Sequence, residues 1–298
     1  MNNTNSQNMP EISIGMPVFN GEEFLEKRLK SILEQSFKNF ELFISDNAST
    51  DKTEEICKTF QKSDKRIRYI RQSKNKGVTW NLNFVLKEAK GEFFMWAAVD
   101  DMISSEFVEK NYEILKNNKK IVASISKIEP FFSIDEKSNK DNYSKLIQNL
   151  RDSTRPRSVF SISGTFDEKA RKYLRNSSCQ VIYSLFRRKE LSTCFHESFI
   201  GNDWAVFLNV LKYGDLHVLD DVLMYEYQSG ITGKGIINGL KHYENNWFTK
   251  IFPWYPLTNW CMKNLERRIF LKNLDYFVQL NLEGIGSYII DKIRNKGE

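Results

Sequence analysis

The sequence predicts an α/β fold with a Rossmann-like, mainly parallel sheet flanked by helices, and two observations predict it. Between residues 11 and 101, short apolar runs alternate with stretches that carry apolar residues at helical spacing. The run Phe93–Val99 is apolar throughout, as in a central strand that is buried on both faces. Strands and helices that alternate in this way are joined by right-handed crossovers, which make the sheet parallel.

The elements follow from the same patterns. The predicted strands are Glu11–Val18, Phe40–Ser45, Ile67–Ile70 and Phe93–Val99, with later extended segments at Gln180–Phe186, Leu216–Leu219 and Val222–Tyr227. The predicted helices lie within Gly21–Gln35, around Ile56 and Phe60, from Val78 to Gly91, and at Glu106–Leu115, Asp167–Leu174, Asp203–Tyr213 and Leu265–Leu280.

Composition and charge narrow the function. The formal net charge is only +6, and 44 lysines and arginines are scattered among 38 acidic residues, which argues against nucleic-acid binding. The four cysteines match no zinc spacing and are expected to be reduced thiols. Residues 1–9 lack the order of a signal peptide and are expected to be a disordered tail. The sequence contains no run of ~18 apolar residues, which is the length that a helix needs to span a bilayer. We therefore expect a cytoplasmic protein.

Polar segments follow three of the predicted strands. They are residues 17–20, 46–47 and 100–101, and in a parallel sheet the carboxyl ends of the strands form one ligand-binding crevice. Repulsion and desolvation raise the pKa of adjacent carboxyl groups such as Asp100 and Asp101, and a divalent cation relieves both effects. The alternative is a solvated loop in which Asp101 or Ser104 only caps the following helix.

The order of motifs resembles that of the inverting glycosyltransferases of family 2, which have the GT-A fold. The motifs are residues 12–21 (Ile-Ser-Ile-Gly-Met-Pro-Val-Phe-Asn-Gly), 29–35 (Leu-Lys-Ser-Ile-Leu-Glu-Gln), 40–51 (Phe-Glu-Leu-Phe-Ile-Ser-Asp-Asn-Ala-Ser-Thr-Asp) and 75–83 (Asn-Lys-Gly-Val-Thr-Trp-Asn-Leu-Asn). Residues 91–101 then resemble the strand that leads into the family's Asp-x-Asp site.

The resemblance implies a nucleotide-sugar donor, with a UDP-sugar favoured, and Mn²⁺ or Mg²⁺ held by Asp100 and Asp101. Asp46 would accept a hydrogen bond from the base, and the absence of a side chain at Gly77 would let the nucleotide approach closely. The implied donor-binding residues are Pro17, Val18, Phe19, Asn20, Asp46, Lys76, Gly77, Asn81, Val99 and Asp100. The family's Asp-x-Asp begins with aspartate where this chain has Ala98, so Asp101 is expected to compensate and metal affinity to be low.

The segment Gly201-Asn202-Asp203 opens an apolar helix at a place where the family commonly has Glu-Asp. The resemblance implies that Asp203 is the general base, which must reach the acceptor hydroxyl opposite the leaving group. The alternative is that Asp203 only caps its helix; with the upstream motifs we favour catalysis. The three histidines, His196, His217 and His242, are isolated in sequence and receive no role.

The implied organisation is a GT-A catalytic domain over residues 10–230 and a mainly helical region over 231–298. Residues 10–128 would bind the nucleotide and 129–230 the acceptor, which is a glycan, polysaccharide or lipid-linked oligosaccharide at the family level. The aromatic-rich C-terminal region either packs on the catalytic domain or a second subunit, which we favour, or contacts the inner face of the membrane as a peripheral element.

The implied reaction is a single displacement that inverts the anomeric centre, as in a hexosyltransferase. Two other classes stay open. A nucleotidyltransferase of similar fold usually carries a Gly-rich basic loop after its first strand, whereas this chain has Phe19-Asn20-Gly21-Glu22-Glu23. A non-catalytic nucleotide-sugar-binding module is the second alternative, because of Ala98.

Overall fold

The computed structural model describes residues 9–131, 159–176, 178–227, 236–243 and 246–294. The predicted tail at residues 1–9 therefore lies outside the described residues except for Met9. Residues 132–158, 177 and 228–230 of the predicted acceptor region and residues 231–235 of the predicted helical region also lie outside them.

Within the described ranges, eight strands form one mixed sheet. They are β1 (Ile12–Val18), β2 (Phe40–Asp46), β3 (Ile67–Arg71), β4 (Phe93–Trp96), β5 (Met102–Ile103), β6 (Ile121–Phe131), β7 (Leu185–Arg187) and β8 (Asp215–Tyr227), and their order across the sheet is β3-β2-β1-β4-β7-β6-β8-β5. The pairs among β3, β2, β1 and β4 are parallel, as is β6 with β8. Strand β7 runs antiparallel to β4 and β6, and β5 runs antiparallel to β8. The predicted α/β fold with a mainly parallel sheet is confirmed.

Helices cover the sheet and form the C-terminal region. They are α1 (Glu22–Leu33), α2 (Thr53–Ser63), α3 (Val78–Glu88), α4 (Phe107–Asn117), α5 (Phe166–Asn176), α6 (Arg188–Leu191), α7 (Asn202–Val210), α8 (Ile236–Leu240), α9 (Trp247–Ile251), α10 (Tyr255–Asn264), α11 (Arg267–Lys272) and α12 (Leu274–Arg294). A 3₁₀ helix spans Cys179–Tyr183. Apolar residues of β1, β2 and β4 are buried against the helices. Because the strands are buried on both faces, their sequences are nearly continuous apolar runs.

The central strand β4 is shorter than predicted. Its ladder ends at Trp96, after which the Ala97 amide still donates to the Gly15 carbonyl at 2.9 Å. The Ala98 carbonyl instead accepts from the Arg28 side chain in α1. This contact between distant residues draws the chain out of the sheet before Asp100, and the apolar character of Val99 could not reveal it.

Three predictions in the second half of the chain were wrong in detail. Only the end of the predicted strand 180–186 lies in β7, because residues 180–183 belong to the 3₁₀ helix, where the Ser178 hydroxyl accepts from the Gln180 amide and caps a helical turn. The two predicted segments at 216–219 and 222–227 are one strand, β8, whose register against β6 shifts after Ser126. The helix predicted at 265–280 is divided into α11 and α12 at the buried Asn273, whose side chain donates to the Ile269 carbonyl.

The C-terminal helices pack on the rest of the molecule. Leu257, Trp260 and Cys261 of α10 are buried, and the ring of Tyr276 in α12 stacks on Trp204 of α7. This packing agrees with the first of the two predictions for the region. Within the described part of the chain, no helix has the length and apolar character needed to cross a membrane.

Candidate active site

The carboxyl ends of β1, β2 and β4 lie side by side at one edge of the sheet. Val18 pairs with Asp46, and Gly15 pairs with Trp96. The predicted donor-binding residues therefore lie at or just after the ends of neighbouring strands. In an open α/β sheet, ligands bind in the crevice beyond such strand ends.

The loop after β1 is held by the loop after β2. Asn20 adopts a positive φ of 51°, and its side-chain oxygen accepts from the Thr50 amide at 2.8 Å. The Asn20 amide in turn donates to the Ser49 hydroxyl at 2.8 Å. This pairing leaves the preceding Phe19 ring exposed at the edge, beyond the buried Val18 and half-buried Pro17.

Asp46 has a fully buried carboxylate. One oxygen accepts from the Ser49 amide and the other from the Tyr69 hydroxyl, each at 2.8 Å, and the Arg71 guanidinium lies 3.7 Å away. With 0% of its surface exposed, this carboxylate orders the end of β2 and the turn that follows it. Its contact with a nucleotide base stays a prediction.

The loop before α3 is built on Asn47. The Asn47 side chain accepts from the Lys76 amide at 2.9 Å and donates to Asn75 at 2.9 Å. Gly77 has φ of +85°, and a Cβ placed there would meet no atom within 4 Å. Glycine is therefore favoured there by the backbone angle, and the position stays open to a ligand.

Three other predicted donor contacts have defined positions. Lys76 is exposed and its ammonium lies 4.0 Å from the centre of the Trp80 ring. Asn81 is buried and donates to the Ser45 carbonyl at 2.9 Å, so its amide supports β2. Val99 is half-buried against Gly21, where an added Cβ would lie 2.9 Å from a Val99 methyl.

Asp100 and Asp101 lie in the loop between β4 and β5. Burial raises the pKa of Asp100, and nearby Arg28 opposes the shift. Burial and the charge of Asp100 raise the pKa of Asp101 to about 7, although Arg28 and a hydrogen bond from the Tyr227 amide oppose this. No side chain caps α4, so the simple capping role considered for Asp101 or Ser104 is absent.

Asp203 lies in the first turn of α7 but does not cap the helix. The cap residue is Gly201, in the left-handed region at φ of 84°, and no side chain caps the helix. The Asp203 side chain keeps 34% of its surface exposed. Burial raises its pKa to about 6.

His196, whose isolation in the sequence suggested no role, lies against Asp203. Its Nδ1 atom is 3.4 Å from the Asp203 Oδ1 atom, and its side chain is fully buried. The His196 and Trp96 rings pack edge to face with their centroids 5.0 Å apart. Burial lowers the pKa of His196 to about 4. The Asn83 side chain donates to the His196 carbonyl and accepts from its amide, each at 2.9 Å. Only the fold brings these groups together, because 113 residues separate Asn83 from His196.

The charges of acidic residues from both halves of the chain act on Tyr183. Burial raises the pKa of this phenol well above its usual value, and the charges of Asp101, Asp203 and Asp100 raise it further. Tyr183 ends the 3₁₀ helix that precedes β7. Asp203 contacts His196, whose ring packs on Trp96 at the end of β4, so the predicted base lies near that strand end.

The C-terminal region supports the loop that carries Asp203. A Cβ on Gly201 would lie 2.9 Å from the Trp254 ring. Trp260 donates to the Glu197 carboxylate at 2.8 Å, and the Glu197 carbonyl accepts from Asn202 at 2.8 Å. The sequence did not predict this support, because the aromatic residues of the C-terminal region indicated only a surface for packing or for membrane contact.

A protein-only metal cage is absent from the described residues, where no group of three or more His, Cys, Asp or Glu side chains is placed to hold an ion. Asp100 and Asp101 nonetheless fit the ordinary chemistry of Mg²⁺ or Mn²⁺, which takes one or two carboxylates and completes its coordination with phosphate and water. The raised pKa values of this pair are what a cation would relieve.

Comparison with known proteins decides the family. The model of glycosyl transferase family 2 matches residues 13–195, which is more than half of the chain. The chain belongs to glycosyltransferase family 2. The predicted resemblance to this family is confirmed.

Named relatives of this glycosyltransferase match its N-terminal part. An uncharacterised glycosyltransferase of Haemophilus influenzae is 37% identical over 111 residues, which are 37% of this chain and 44% of the relative. The GalNAc(5)-diNAcBac-PP-undecaprenol beta-1,3-glucosyltransferase of Campylobacter jejuni is 40% identical over 98 residues, which are 33% of this chain and 32% of the relative. The match thus spans less than half the length of these relatives.

Solved structures similar to this glycosyltransferase confirm the GT-A fold. S. aureus TarS 1-349 in complex with UDP has a TM-score of 0.56 at 14% identity, covering 97% of this chain and 92% of that chain. The mannosyltransferase PcManGT from Pyrobaculum calidifontis, in complex with GDP-Man and Mn²⁺, has a TM-score of 0.59 at 13% identity, covering 98% of this chain and 76% of that chain.

Proposed function

We propose that this glycosyltransferase moves a hexose from a UDP-sugar to a hydroxyl group of a glycan, polysaccharide or lipid-linked oligosaccharide, with inversion at the anomeric carbon. The contacts that connect Asp203 through His196 to Trp96, the last residue of β4 and four residues before Asp100, carry the proposal. An inverting displacement needs a charge-stabilising group beside the leaving diphosphate and a base on the opposite side of the sugar, and this cleft supplies carboxylates for both.

Asp203 is the proposed base. A pKa of about 6 leaves the carboxylate ionised at neutral pH and makes it a stronger base than an exposed aspartate. In the described structure its carboxylate has His196 as its near neighbour and no cap to maintain, so it is free to accept the proton of the acceptor hydroxyl.

The donor would lie along the ends of β1, β2 and β4. The exposed Phe19 ring and Lys76 ammonium flank the opening, and the open backbone at Gly77 allows close approach. Pro17, Val18, Asn20, Asp46 and Asn81 would shape the base pocket, and Val99 would line it. Asp100, with Asp101, would hold Mn²⁺ or Mg²⁺, which when bound stabilises negative charge on the leaving diphosphate.

The structural neighbours support this donor class. TarS was solved with UDP and with UDP-GlcNAc, whereas PcManGT was solved with GDP-Man. We favour UDP and treat GDP as the alternative base. The Campylobacter relative is named for an undecaprenol-linked substrate, which supports a lipid-linked oligosaccharide among the proposed acceptors.

The proposed domain division keeps residues 10–230 as the catalytic domain, with the nucleotide part at 10–128 and the acceptor part at 129–230. Residues 231–298 would serve as a support for the Asp203 loop. The exposed apolar residues of α12 also suit a peripheral membrane contact at the cytoplasmic face, or a second copy of the chain. They are Leu274, Val278, Leu282, Ile289 and Ile293.

A donor screen tests the proposal. The protein would be incubated with UDP-hexoses and GDP-hexoses, Mn²⁺ and hydroxyl acceptors, and products would be analysed for sugar transfer and anomeric configuration. Transfer with inversion supports the proposal, whereas transfer with retention contradicts the single displacement. Release of pyrophosphate from a nucleoside triphosphate and a sugar phosphate would instead identify a nucleotidyltransferase. Nucleotide-sugar binding without transfer or hydrolysis would identify a binding module.

A further inference from the structure

Helix α1 buries a positive charge. Its apolar face consists of Leu25, Leu29 and Ile32, and Arg28 shares that face with only 1% of its surface exposed. Burial of an arginine is costly unless nearby negative charge and hydrogen bonds compensate for the loss of water. A buried Arg28 in an otherwise apolar helix face therefore requires an explanation.

Arg28 points at the acidic loop. Its Nε atom donates to the Ala98 carbonyl at 2.9 Å, two residues before Asp100. Its Nη1 atom is buried and has no hydrogen-bond partner among the described residues. Burial lowers the pKa of Arg28 to about 10, and the charges of Asp101 and Asp100 oppose that shift. The guanidinium therefore stays charged at neutral pH.

Two features make the surroundings of Asp100 and Asp101 less negative. Ala98 stands where the Asp-x-Asp pattern has its first carboxylate, and the buried Arg28 guanidinium binds the Ala98 carbonyl beneath the loop. A diphosphate is repelled by a pair of bare carboxylates, so a less negative loop needs less help from a bound cation.

We propose that Arg28 is a positioning residue whose buried charge replaces part of the charge of a divalent metal at Asp100 and Asp101, so that a nucleoside diphosphate binds with only weak dependence on metal. This inference rests on the proposed donor site. Arg28 acts from beneath the loop, by holding the Ala98 carbonyl and by countering the two carboxylates, and it does not contact the nucleotide.

Titration calorimetry with UDP and GDP tests this inference on the full chain. The dissociation constant would be measured in Mn²⁺ and in excess EDTA, with thermal unfolding as a second readout. For the nucleotide that binds, the wild-type dissociation constants should differ by less than about tenfold between the two conditions. A wild-type protein that binds the nucleotide only in Mn²⁺ would overturn the inference.

Variants of α1 separate charge from structure. Arg28→Met keeps an unbranched side chain and removes the charge, so binding in EDTA should weaken by about tenfold or more while binding in Mn²⁺ changes by less than about threefold. Arg28→Lys should retain most of the binding in EDTA. Lys30→Met is the matched control, because Lys30 is an exposed cation of the same helix whose ion pair is with Glu26, one turn away, and it should change neither constant.

The outcomes distinguish the two proposals. If neither UDP nor GDP binds even in Mn²⁺, the proposed function fails and the inference fails with it. If a nucleotide binds and Arg28→Met loses affinity equally in Mn²⁺ and in EDTA, the donor site stands but Arg28 has no role in metal dependence. If Arg28→Met does not fold, the wild-type ratio and Arg28→Lys decide the question.

Discussion

The Nδ1 atom of His196 lies 3.4 Å from the Oδ1 atom of Asp203. The imidazole is fully buried, and neither ring nitrogen meets a hydrogen-bond partner at full geometry among the described residues. With its proton on Nδ1, a neutral ring would place a partial positive charge 3.4 Å from the carboxylate oxygen, which would favour the ionised form of Asp203. His196 would then orient the proposed base from behind, while Asn83 fixes the histidine through its backbone.

Replacing His196 should alter the pH dependence of transfer. In His196→Phe the carboxylate loses this neighbour, so the pKa of Asp203 should rise further, and the acidic limb of kcat should move up by about half to one pH unit. The smaller ionised fraction of Asp203 should then lower kcat at pH 7 by up to about twofold, with the donor KM nearly unchanged. His242→Phe, at an exposed histidine, serves as control. A profile identical to that of the wild type would show that the contact has no functional effect.

The ionised Asp203 should destabilise the folded protein above pH 6. Its folded pKa, about 6, is raised above the ordinary value of 3.8, so its stabilising contribution is present below pH 3.8 and is lost as pH rises through 6. Because the side chain is one-third exposed, we expect Asp203→Asn to raise the free energy of unfolding by only about 1 kcal/mol at pH 8, or Tm by about 2 °C. Thermal unfolding at pH 8 and near pH 4 checks this, and a variant that is less stable at pH 8 would contradict it.

Gly201 should tolerate no side chain. Its φ of +84° is unfavourable for other residues, and an added Cβ would meet the Trp254 ring at 2.9 Å and Leu257 at 3.2 Å. Gly201→Ala should reduce stability by about 1–3 kcal/mol and lower kcat, because the start of α7 must shift with Asp203. Gly286→Ala is the control: Gly286 lies within α12, and a Cβ added there would meet no atom within 4 Å, so this change should be neutral or slightly stabilising. Equal effects at the two sites would argue against the proposed contact.

The carboxylate of Asp46 should act mainly by ordering the end of β2, where the donor is proposed to bind. In Tyr69→Phe it loses the 2.8 Å hydrogen bond from the hydroxyl group, and we expect a loss of about 1–2 kcal/mol in unfolding free energy together with weaker nucleotide binding. Calorimetry and thermal unfolding measure the two effects. Nucleotide affinity that is unchanged despite the loss of stability would show that the end of β2 does not shape the donor pocket.

The strand ends of the donor half could be predicted because their patterns are local. Residues 40–46 form an apolar strand with a polar end, and both the spacing of apolar residues and the order of motifs identify it. The crevice at Asp46 and Asp100 then follows from the rules of parallel sheets.

Other parts of the site depend on contacts between distant residues. Nothing in the helical pattern of α1 marks Arg28 as buried, because an arginine at that spacing usually reaches solvent. The contact of His196 with Asp203 requires the turn before α7, and the support by Trp260 requires the C-terminal helices to fold back. Such relationships arise from packing, so local periodicity does not contain them.

The transfer rate of Asp203→Asn, measured beside its donor affinity, decides whether one cleft holds both the donor site and the base. Asparagine keeps the size of the side chain but cannot accept the acceptor proton, so kcat should fall by about a thousandfold or more while the dissociation constant for the nucleotide stays within about twofold. Asp220→Asn, at a fully exposed acid, should leave both quantities unchanged. A variant of Asp203 that transfers sugar at the wild-type rate would contradict the assignment of the base, and with it the single catalytic cleft.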